Sequence, residues 1–246
     1  MANERSRRGA PAAETHRGIP PRSDILFYGD PHGEWRPLLR ACAEDRPQAV
    51  VILGDCDLER PLREQIAPVF AAGIRVRWIP GNHDTDTVGF HDHLWGDFPE
   101  ANLHAGWAQL GELIVAGLGG IFKERVWYPR HDHAAPVFAD RRAYMRQVKP
   151  SERWRGGLPL SARDAIFPED AAALRGIRAD VLVTHEAPTS HRHGFVGLDA
   201  AAASCRARLL VHGHHHDSYD GQLPGGTQVK GLAKAEVFRV TRELRA

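Results

Sequence analysis

Five short groups of Asp, His and Asn residues lie in order along this chain of 246 residues. Their carboxylate, imidazole and amide groups are the side chains that proteins use to bind divalent metal ions. Each group directly follows an apolar run that is typical of a buried strand. The groups are Asp30-Pro31-His32, Gly54-Asp55, Gly81-Asn82-His83-Asp84, Thr184-His185 and Gly213-His214-His215-His216.

The order of strand and polar group predicts one shared site, because open α/β sheets bind ligands at the carboxyl ends of their strands. Strand side chains alternate between two faces, so Asp30 and His32 lie on the same side and can share one metal ion. His214 and His216 project from a similar turn and can divide between two ions. The carboxylate of Asp55 has two oxygens and can bridge the ions. The set is completed by Asn82 and His185.

A charge count favours a reaction on an anion. Two divalent cations outweigh the two carboxylates of Asp30 and Asp55 by about two positive charges. That excess suits a bridging hydroxide together with an anionic phosphate. Bridging also lowers the pKa of water and so produces a nucleophile near neutral pH. The residues therefore predict a metal pair that cleaves phosphate esters.

The elements that must position these groups follow a β-α-β-α-β order through residue 79. Apolar runs predict the strands, and helical spacing predicts a helix near 35–42, another near 62–70 and a third at 168–174. Such units place their strands parallel with right-handed crossovers. The predicted strands are 25–28, 49–53, 74–79, 113–116, 181–183 and 209–211, with two more around a turn near 233–234.

Residues 121–167 differ from the rest, with poor periodicity, four prolines and scattered aromatic residues. Within 121–155, nine Lys and Arg residues stand against four Asp and Glu residues, so this part is locally basic. A cap that grips a phosphate or stacks a base is one interpretation, and a solvated surface loop is an equal alternative. The candidate cap residues are Lys123, Arg125, Trp127, Tyr128 and Arg130.

The bulk composition narrows the class of protein. A length of 246 residues suits one α/β domain with an insertion. The net charge of +1 does not favour nucleic acid or a membrane surface as partner, and no stretch reaches the ~18 apolar residues of a membrane span. Cys42, Cys56 and Cys205 match no zinc-site spacing, and they indicate a reduced, cytoplasmic setting. Residues 1–22 lack the apolar segment of a secretory signal and are predicted to form a disordered tail.

The series GDPH, GD, GNHD, THEAP and GHHH resembles the metallophosphoesterase (calcineurin-like phosphoesterase) superfamily. The pattern of that family is D-x-H, G-D, G-N-H-D/E, H and G-H-x-H in the same order, and the match spans roughly residues 24–216. The resemblance implies a four-layer α/β/β/α sandwich with the site at the carboxyl ends of the strands. It assigns residues 23–246 to this domain, with an irregular insertion or cap at about 121–167.

The resemblance also implies roles for individual residues. The first metal would take Asp30, His32 and His216. The second would take Asn82, His185 and His214. Asp55 would bridge them, and His83 would act outside the coordination shell as a general acid or hydrogen-bond donor at the leaving group. The ligand set favours Mn²⁺ or a mixed Fe/Mn pair, while Zn²⁺ and Ni²⁺ also suit imidazole.

The second group departs from the G-D-x-x-D-R-G pattern of the superfamily's protein phosphatases. No glycine follows Arg60, and Asp57 stands one place early. This departure argues against a protein phosphatase. It also leaves open which acid, if any, orients His83, with Asp57 and Asp84 as candidates.

Several other histidines are predicted to play lesser parts. Within the last group, His215 is interpreted as a bystander, and His212 as a strand residue. Six others are predicted to be exposed or hydrogen-bonded surface residues. Of these, His191 and His193 follow the His185 loop and are the best candidates for substrate contact. The six are His91, His93, His131, His133, His191 and His193.

The sequence therefore predicts a dinuclear metal-dependent phosphoesterase. It would hydrolyse a phosphomonoester or a phosphodiester by attack of a metal-bridging hydroxide. Three alternatives stay open. A serine/threonine protein phosphatase would need a long open groove, a nuclease would need a basic track that only 121–155 offers, and a non-catalytic module would bind metal without turnover.

Overall fold

The computed structural model describes residues 24–131, 134–241 and 244. The proposed tail at residues 1–22 and His133 lie outside these described residues. A first sheet has the strand order β10-β1-β2-β3. Strands β1 to β3 run parallel, as the sequence predicts, and β10 pairs antiparallel with β1. Its strands are β1 Ile25–Tyr28, β2 Ala49–Ile52, β3 Arg75–Trp78 and β10 Val237–Val240.

A second sheet has the strand order β4-β5-β6-β7-β9-β8. The inner strands β5, β6, β7 and β9 are parallel, and an antiparallel strand closes each edge. The sequence does not predict either edge strand, because both are half exposed and lack an apolar run. The strands are β4 Gly106–Leu110, β5 Leu113–Leu118, β6 Val181–Thr184, β7 Leu209–His212, β8 Tyr219–Gln222 and β9 Gln228–Gly231.

The two sheets pack face to face, and helices cover both outer faces. Alternate residues of β1 show the division, because Ile25 and Phe27 enter the core between the sheets while Leu26 and Tyr28 pack under helices. The helices on the first sheet are α1 Arg36–Asp45, α2 Leu62–Gln65 and α3 Ala67–Ala71. The predicted four-layer α/β/β/α sandwich is therefore confirmed.

The remaining helices lie on the second sheet or in the connecting segments. They are α4 Val88–His91, α5 Arg141–Met145, α6 Pro168–Ala173 and α7 Val196–Ser204. The sequence does not predict helix α7, because its run of alanines has no amphipathic period. None of the helices in the described part of the chain is long and apolar enough to cross a bilayer.

Two sequence predictions need correction. The single helix predicted near 62–70 is two short helices, because Ile66 leaves the helical region with φ at −117°. Pro68 stands in the first turn of α3, where its missing N–H has no helical partner to lose. The strands β9 and β10 exist, but they belong to different sheets.

The crossing from β9 to β10 supports the end of β1. The backbone N–H of Gly29 donates to the carbonyl of Glu236 at 3.0 Å, and that of Ala235 donates to the carbonyl of Asp30 at 3.2 Å. The C-terminal segment thereby holds the backbone at Asp30, where the first predicted ligand group begins.

The insertion at 121–167 has a small core of its own. Its described residues form α5, short helical turns and an apolar cluster that includes Val126, Tyr144 and Phe167. Arg141 ties the insertion to the first turn of α6 through two contacts with Asp170, at 2.5 and 2.8 Å. Asp170 also lies 3.3 Å from His104.

Acid should weaken this connection. Burial opposes ionisation of Asp170, but His104 and Arg141 outweigh it and lower the pKa of Asp170 to about 2, from 3.8. A lowered pKa contributes stability that is present above pH 3.8 and is lost as the pH falls through about 2. We expect the free energy of unfolding of Asp170→Asn, measured by urea titration, to decline less than that of the parent protein between those pH values. Asp220→Asn, at a side chain that is 87% exposed, should keep the parent slope; equal slopes for all three proteins would contradict the assignment.

Candidate metal centre

The five polar groups meet at one edge of the sandwich. Strands β1, β2, β3, β6 and β7 all end there, and each polar group lies in the turn that follows its strand. The structure brings all seven predicted ligand residues and His83 into this region. The seven are Asp30, His32, Asp55, Asn82, His185, His214 and His216.

One half of the centre contains Asp30, His32 and His216. The Nε2 atoms of His32 and His216 are 3.2 Å apart, and Nε2 of His216 lies 3.8 Å from Oδ2 of Asp30. Nδ1 of His32 is 2.9 Å from a carboxylate oxygen of Asp57. Because that carboxylate accepts the Nδ1 proton, Nε2 of His32 presents a lone pair toward His216.

The other half contains Asn82, His185 and His214. Nε2 of His185 lies 3.1 Å from Oδ1 of Asn82, and the rings of His185 and His214 are 4.9 Å apart. Nδ1 of His185 donates to the carbonyl of Leu53 at 2.7 Å. This backbone contact turns Nε2 toward the centre, as in many histidines that bind metals.

Asp55 lies between the two halves. Its Oδ2 is 3.7 Å from Nε2 of His32 and 3.3 Å from Nε2 of His185. Its Oδ1 accepts the backbone N–H of His83 at 2.9 Å. Ligand atoms of Asp55, His185 and His214 lie within 4.8 Å of one another. One carboxylate therefore faces both sets of nitrogen donors.

These residues fit the binding of cations. Oδ1 of Asp30 is buried and has no hydrogen-bond partner among the described residues. Burial raises the pKa of Asp30 to about 7. Burial lowers the pKa of His185, but the charges of Asp55 and Asp30 outweigh it and raise that pKa to about 10. The site therefore attracts positive charge, which bound cations would supply in place of protons.

His83 lies beside the centre rather than inside it. Its ring is 5.3 Å from that of His32, and its side chain is 46% exposed. Nδ1 of His83 is 2.6 Å from Oδ2 of Asp86. Burial lowers the pKa of His83, but the Asp86 hydrogen bond and nearby carboxylates outweigh it and raise the pKa.

The acid that contacts His83 is therefore Asp86, and both candidates from the sequence are wrong. Asp57 contacts His32 instead. Asp84 points into the protein, where burial raises the pKa of its carboxyl group. The spacing of three residues between His83 and Asp86 could have identified the pair, because residues three apart in a helical turn are neighbours.

Asp84 holds two strand ends together. Its carboxylate accepts the backbone N–H groups of Gly81, Asp55 and Cys56, at 2.7, 3.0 and 2.8 Å. These bonds join the turn after β2 to the turn after β3. Asp84 thus positions the backbone of Asp55, whose side chain lies at the middle of the centre.

The turns at this edge adopt left-handed backbone conformations. Eleven non-glycine residues have positive φ in the described part of the chain, and six of them belong to this site. Each costs about 1 kcal/mol or more, so hydrogen bonds and packing must hold these turns. The six, with φ between 36° and 71°, are Asp30, His32, Asp55, Asp57, His214 and His216.

Two glycines allow the turns to approach closely. Gly54 has φ of 93°, and a side chain there would lie 2.3 Å from the backbone nitrogen of Gly81. A side chain at Gly213 would lie 2.4 Å from Oδ1 of Asp30. The backbone N–H of His214 donates to the other oxygen of Asp30 at 2.7 Å. The first and last ligand groups are therefore joined through the backbone.

The structure contains a second group of possible metal ligands that the sequence does not predict. Glu186 is buried directly after His185, and its carboxylate lies 3.9 Å from Nε2 of His214. Ligand atoms of Glu186, His214 and His215 lie within 4.8 Å of one another. Burial raises the pKa of Glu186 to about 7. The position of Glu186 next to His185 is the sequence feature that could have identified it as a possible ligand.

The other histidines divide between packing and surface roles. His91 is buried and stacks on Trp95 at 4.7 Å, so its predicted surface position is wrong. Nδ1 of His93 lies 2.7 Å from the carbonyl of Leu58. His191 is also buried, whereas His131 and His193 are exposed. His212 lies in β7, as predicted, and its Nε2 is 2.9 Å from the hydroxyl of Tyr219.

The chain matches the family model of calcineurin-like phosphoesterases over residues 23–218, and it belongs to that family. An uncharacterized protein of Haemophilus influenzae is 37% identical over 197 residues, which are 79% of this chain and 84% of that protein. The structure of TT1561 of Thermus thermophilus aligns with a TM-score of 0.52 at 14% identity, over 89% of this chain and 98% of that one. A dimetal phosphatase from Danio rerio aligns with a TM-score of 0.49 at 12% identity, over 86% of this chain and 87% of that one.

Removing the Asp84 carboxylate should destabilise the protein. Asp84→Ala leaves three N–H groups at a buried position without their acceptor, so we expect a loss of about 3 kcal/mol in the free energy of unfolding. Asp86→Ala is the matched control, because that side chain is 54% exposed and should change stability by less than about 0.5 kcal/mol. Urea unfolding of both variants measures the difference, and equal losses would show that Asp84 does not organise the turns.

Proposed function

We propose that this protein is a dinuclear metal-dependent phosphoesterase that hydrolyses a phosphomonoester or a phosphodiester. The observation that carries the proposal is the position of Asp55, whose one carboxylate oxygen faces His32 on one side and His185 on the other. Membership of the calcineurin-like phosphoesterase family supports the same reaction class.

The two halves of the centre would each hold one ion. Asp30, His32 and His216 form the first set. Asn82, His185 and His214 form the second, with Asp55 shared between them. When bound, a pair of divalent cations supplies a nucleophile from water near neutral pH and neutralises charge on the phosphoryl group. Mixed carboxylate, amide and imidazole donors favour Mn²⁺, with Fe, Zn²⁺ or Ni²⁺ as alternatives.

His83 would assist the leaving group. Its Nδ1 is occupied by the contact with Asp86, which leaves Nε2 as the nitrogen available to a substrate. A proton held there can be given to the departing oxygen. His83 lies at the edge of the centre and is partly exposed, so a substrate can reach it without displacing a ligand.

The structure does not favour the nuclease alternative. Several basic residues of the insertion are used within the protein: Lys123 contacts Asp164 at 2.6 Å and Arg155 contacts Asp92 at 2.7 Å. These ion pairs neutralise part of the positive charge that a nucleic-acid track would need. The three cysteines are buried and unpaired, which accords with the cytoplasmic setting that we propose.

The first test is hydrolysis of a chromogenic phosphomonoester and the matching phosphodiester by metal-stripped protein, before and after addition of Mn²⁺. We expect activity only after addition. Asp55→Asn should fail to regain it and should bind fewer ions by mass spectrometry of the metal content, because the shared negative charge is gone. Full occupancy by two ions in Asp55→Asn would contradict the bridging role, and a parent protein that binds metal yet cleaves neither ester would point to the non-catalytic alternative.

His83→Ala should separate catalysis from metal binding. We expect turnover to fall by roughly 10²- to 10⁴-fold, the usual contribution of a positioned acid, while the metal content stays at the parent level. The deficit should be larger for an alkyl ester than for a nitrophenyl ester, because a good leaving group needs less help from a proton. Loss of metal from His83→Ala would place this residue among the ligands instead.

A further inference from the structure

Two imidazole rings extend outward from the metal-centre residue His214. The ring of His215 lies 4.7 Å from that of His214, and the ring of His193 lies 5.6 Å from that of His215. His193 is exposed, whereas His214 and His215 are half-buried. The three rings thus lead from the centre to the protein surface.

His215 carries a nitrogen without a protein partner. Its Nε2 is buried and makes no hydrogen bond with the described residues. Its neighbour His191 is occupied, because Nε2 of His191 lies 3.1 Å from a carboxylate oxygen of Asp217, and the two rings stack at 4.3 Å. The ring that a ligand can reach is that of His193, which is exposed and packs on His215.

Arg130 is the candidate cap residue that remains free for a ligand. Lys123 contacts Asp164, and Arg125 contacts the carbonyl of Ser161 at 2.8 Å. The rings of Trp127 and Tyr128 pack on those of two phenylalanines. Arg130, in contrast, forms no ion pair with the described residues and makes one long contact, 3.4 Å, with the carbonyl of Arg192.

Packing holds Arg130 over the loop that carries His193. The carbonyl of Pro129 accepts the N–H of Gly197 at 3.2 Å, and a side chain at Gly197 would lie 2.5 Å from the Pro129 ring. Nη2 of Arg130 donates to the carbonyl of Arg192, the residue directly before His193, at 3.4 Å. The guanidinium therefore lies at the same rim as the outer histidine rings.

We propose that Arg130 and His193, whose ring packs on His215, form a subsite for a second anionic group of the substrate. The scissile phosphoryl group would occupy the metal centre, and the second group, a phosphoryl or a carboxylate, would contact the guanidinium and imidazole N–H donors. The inference rests on the proposed phosphoesterase function. It assigns the substrate to phosphate esters that carry a second negative charge at a fixed distance from the first.

A series of α,ω-alkane bisphosphates can measure that distance. Titration calorimetry with Mn²⁺-loaded protein compares each bisphosphate with the alkyl monophosphate of the same chain length. We expect bisphosphates of one spacer length to bind roughly ten- to a hundredfold more tightly than the monophosphate, the gain of a charged hydrogen-bonded contact. An ω-phosphoalkanoate of that length then distinguishes a carboxylate from a phosphoryl group as the preferred second anion.

Variants test the assignment to Arg130. Arg130→Gln should reduce the ratio of bisphosphate to monophosphate affinity by roughly tenfold or more, whereas Arg125→Gln, in the same insertion, should keep the parent ratio. A gain that is equal for all spacers, or a parent ratio in Arg130→Gln, would overturn the subsite. If the protein hydrolyses monophosphates but gains nothing from a second anion, the subsite alone is wrong. If the protein neither binds nor hydrolyses either ligand, the proposed phosphoesterase function is wrong as well.

Discussion

The burial of several carboxylates at one edge of the sandwich is the constraint on which the rest of the site depends. Asp30, Asp55 and Asp84 are almost completely buried, and a buried carboxylate is unstable without donors or cations around it. Asp84 meets the requirement with three backbone N–H groups. Asp30 and Asp55 meet it only in part, with histidine nitrogens close by. The acids that organise the backbone are thus satisfied, and the acids that face the centre retain capacity for a metal.

The same requirement explains the unusual backbone at the strand ends. A carboxylate can collect N–H groups from several turns only if those turns approach closely, and Gly54 and Gly213 permit that approach. Asp, His and Gly tolerate the left-handed region better than most residues, so the side chains that supply the chemistry also suit the turns. The outcome is a set of donors whose positions are determined before any ligand arrives, which is the arrangement that favours catalysis.

The insertion contributes to this site in a way that its composition does not reveal. It is locally basic, and some of its cations form ion pairs, such as Arg141 with Asp170 and Lys123 with Asp164. The Arg141–Asp170 pair attaches the small insertion core to α6, and the Lys123–Asp164 pair lies within the insertion itself. The packing of Pro129 on Gly197 holds Arg130 beside the loop of His193. A region whose composition suggests only a solvated loop can thus supply one specific contact once packing fixes it.

The sequence by itself indicated which residues meet at the centre, because polar groups that follow parallel strands lie at the carboxyl ends of those strands, where α/β proteins bind ligands. It indicated the four layers only through the resemblance of its motifs to the metallophosphoesterase superfamily. Only the tertiary structure decided the partners: Asp86 rather than Asp57 or Asp84 contacts His83, and Glu186 lies against His214. Spacing along the chain says which residues are neighbours in a turn or strand, but contacts between separate turns depend on backbone conformations that local propensity does not specify. His91 shows the same limit, because it packs not only on Trp95, four residues away, but also on Trp154 of the insertion, a contact that spacing along the chain does not predict.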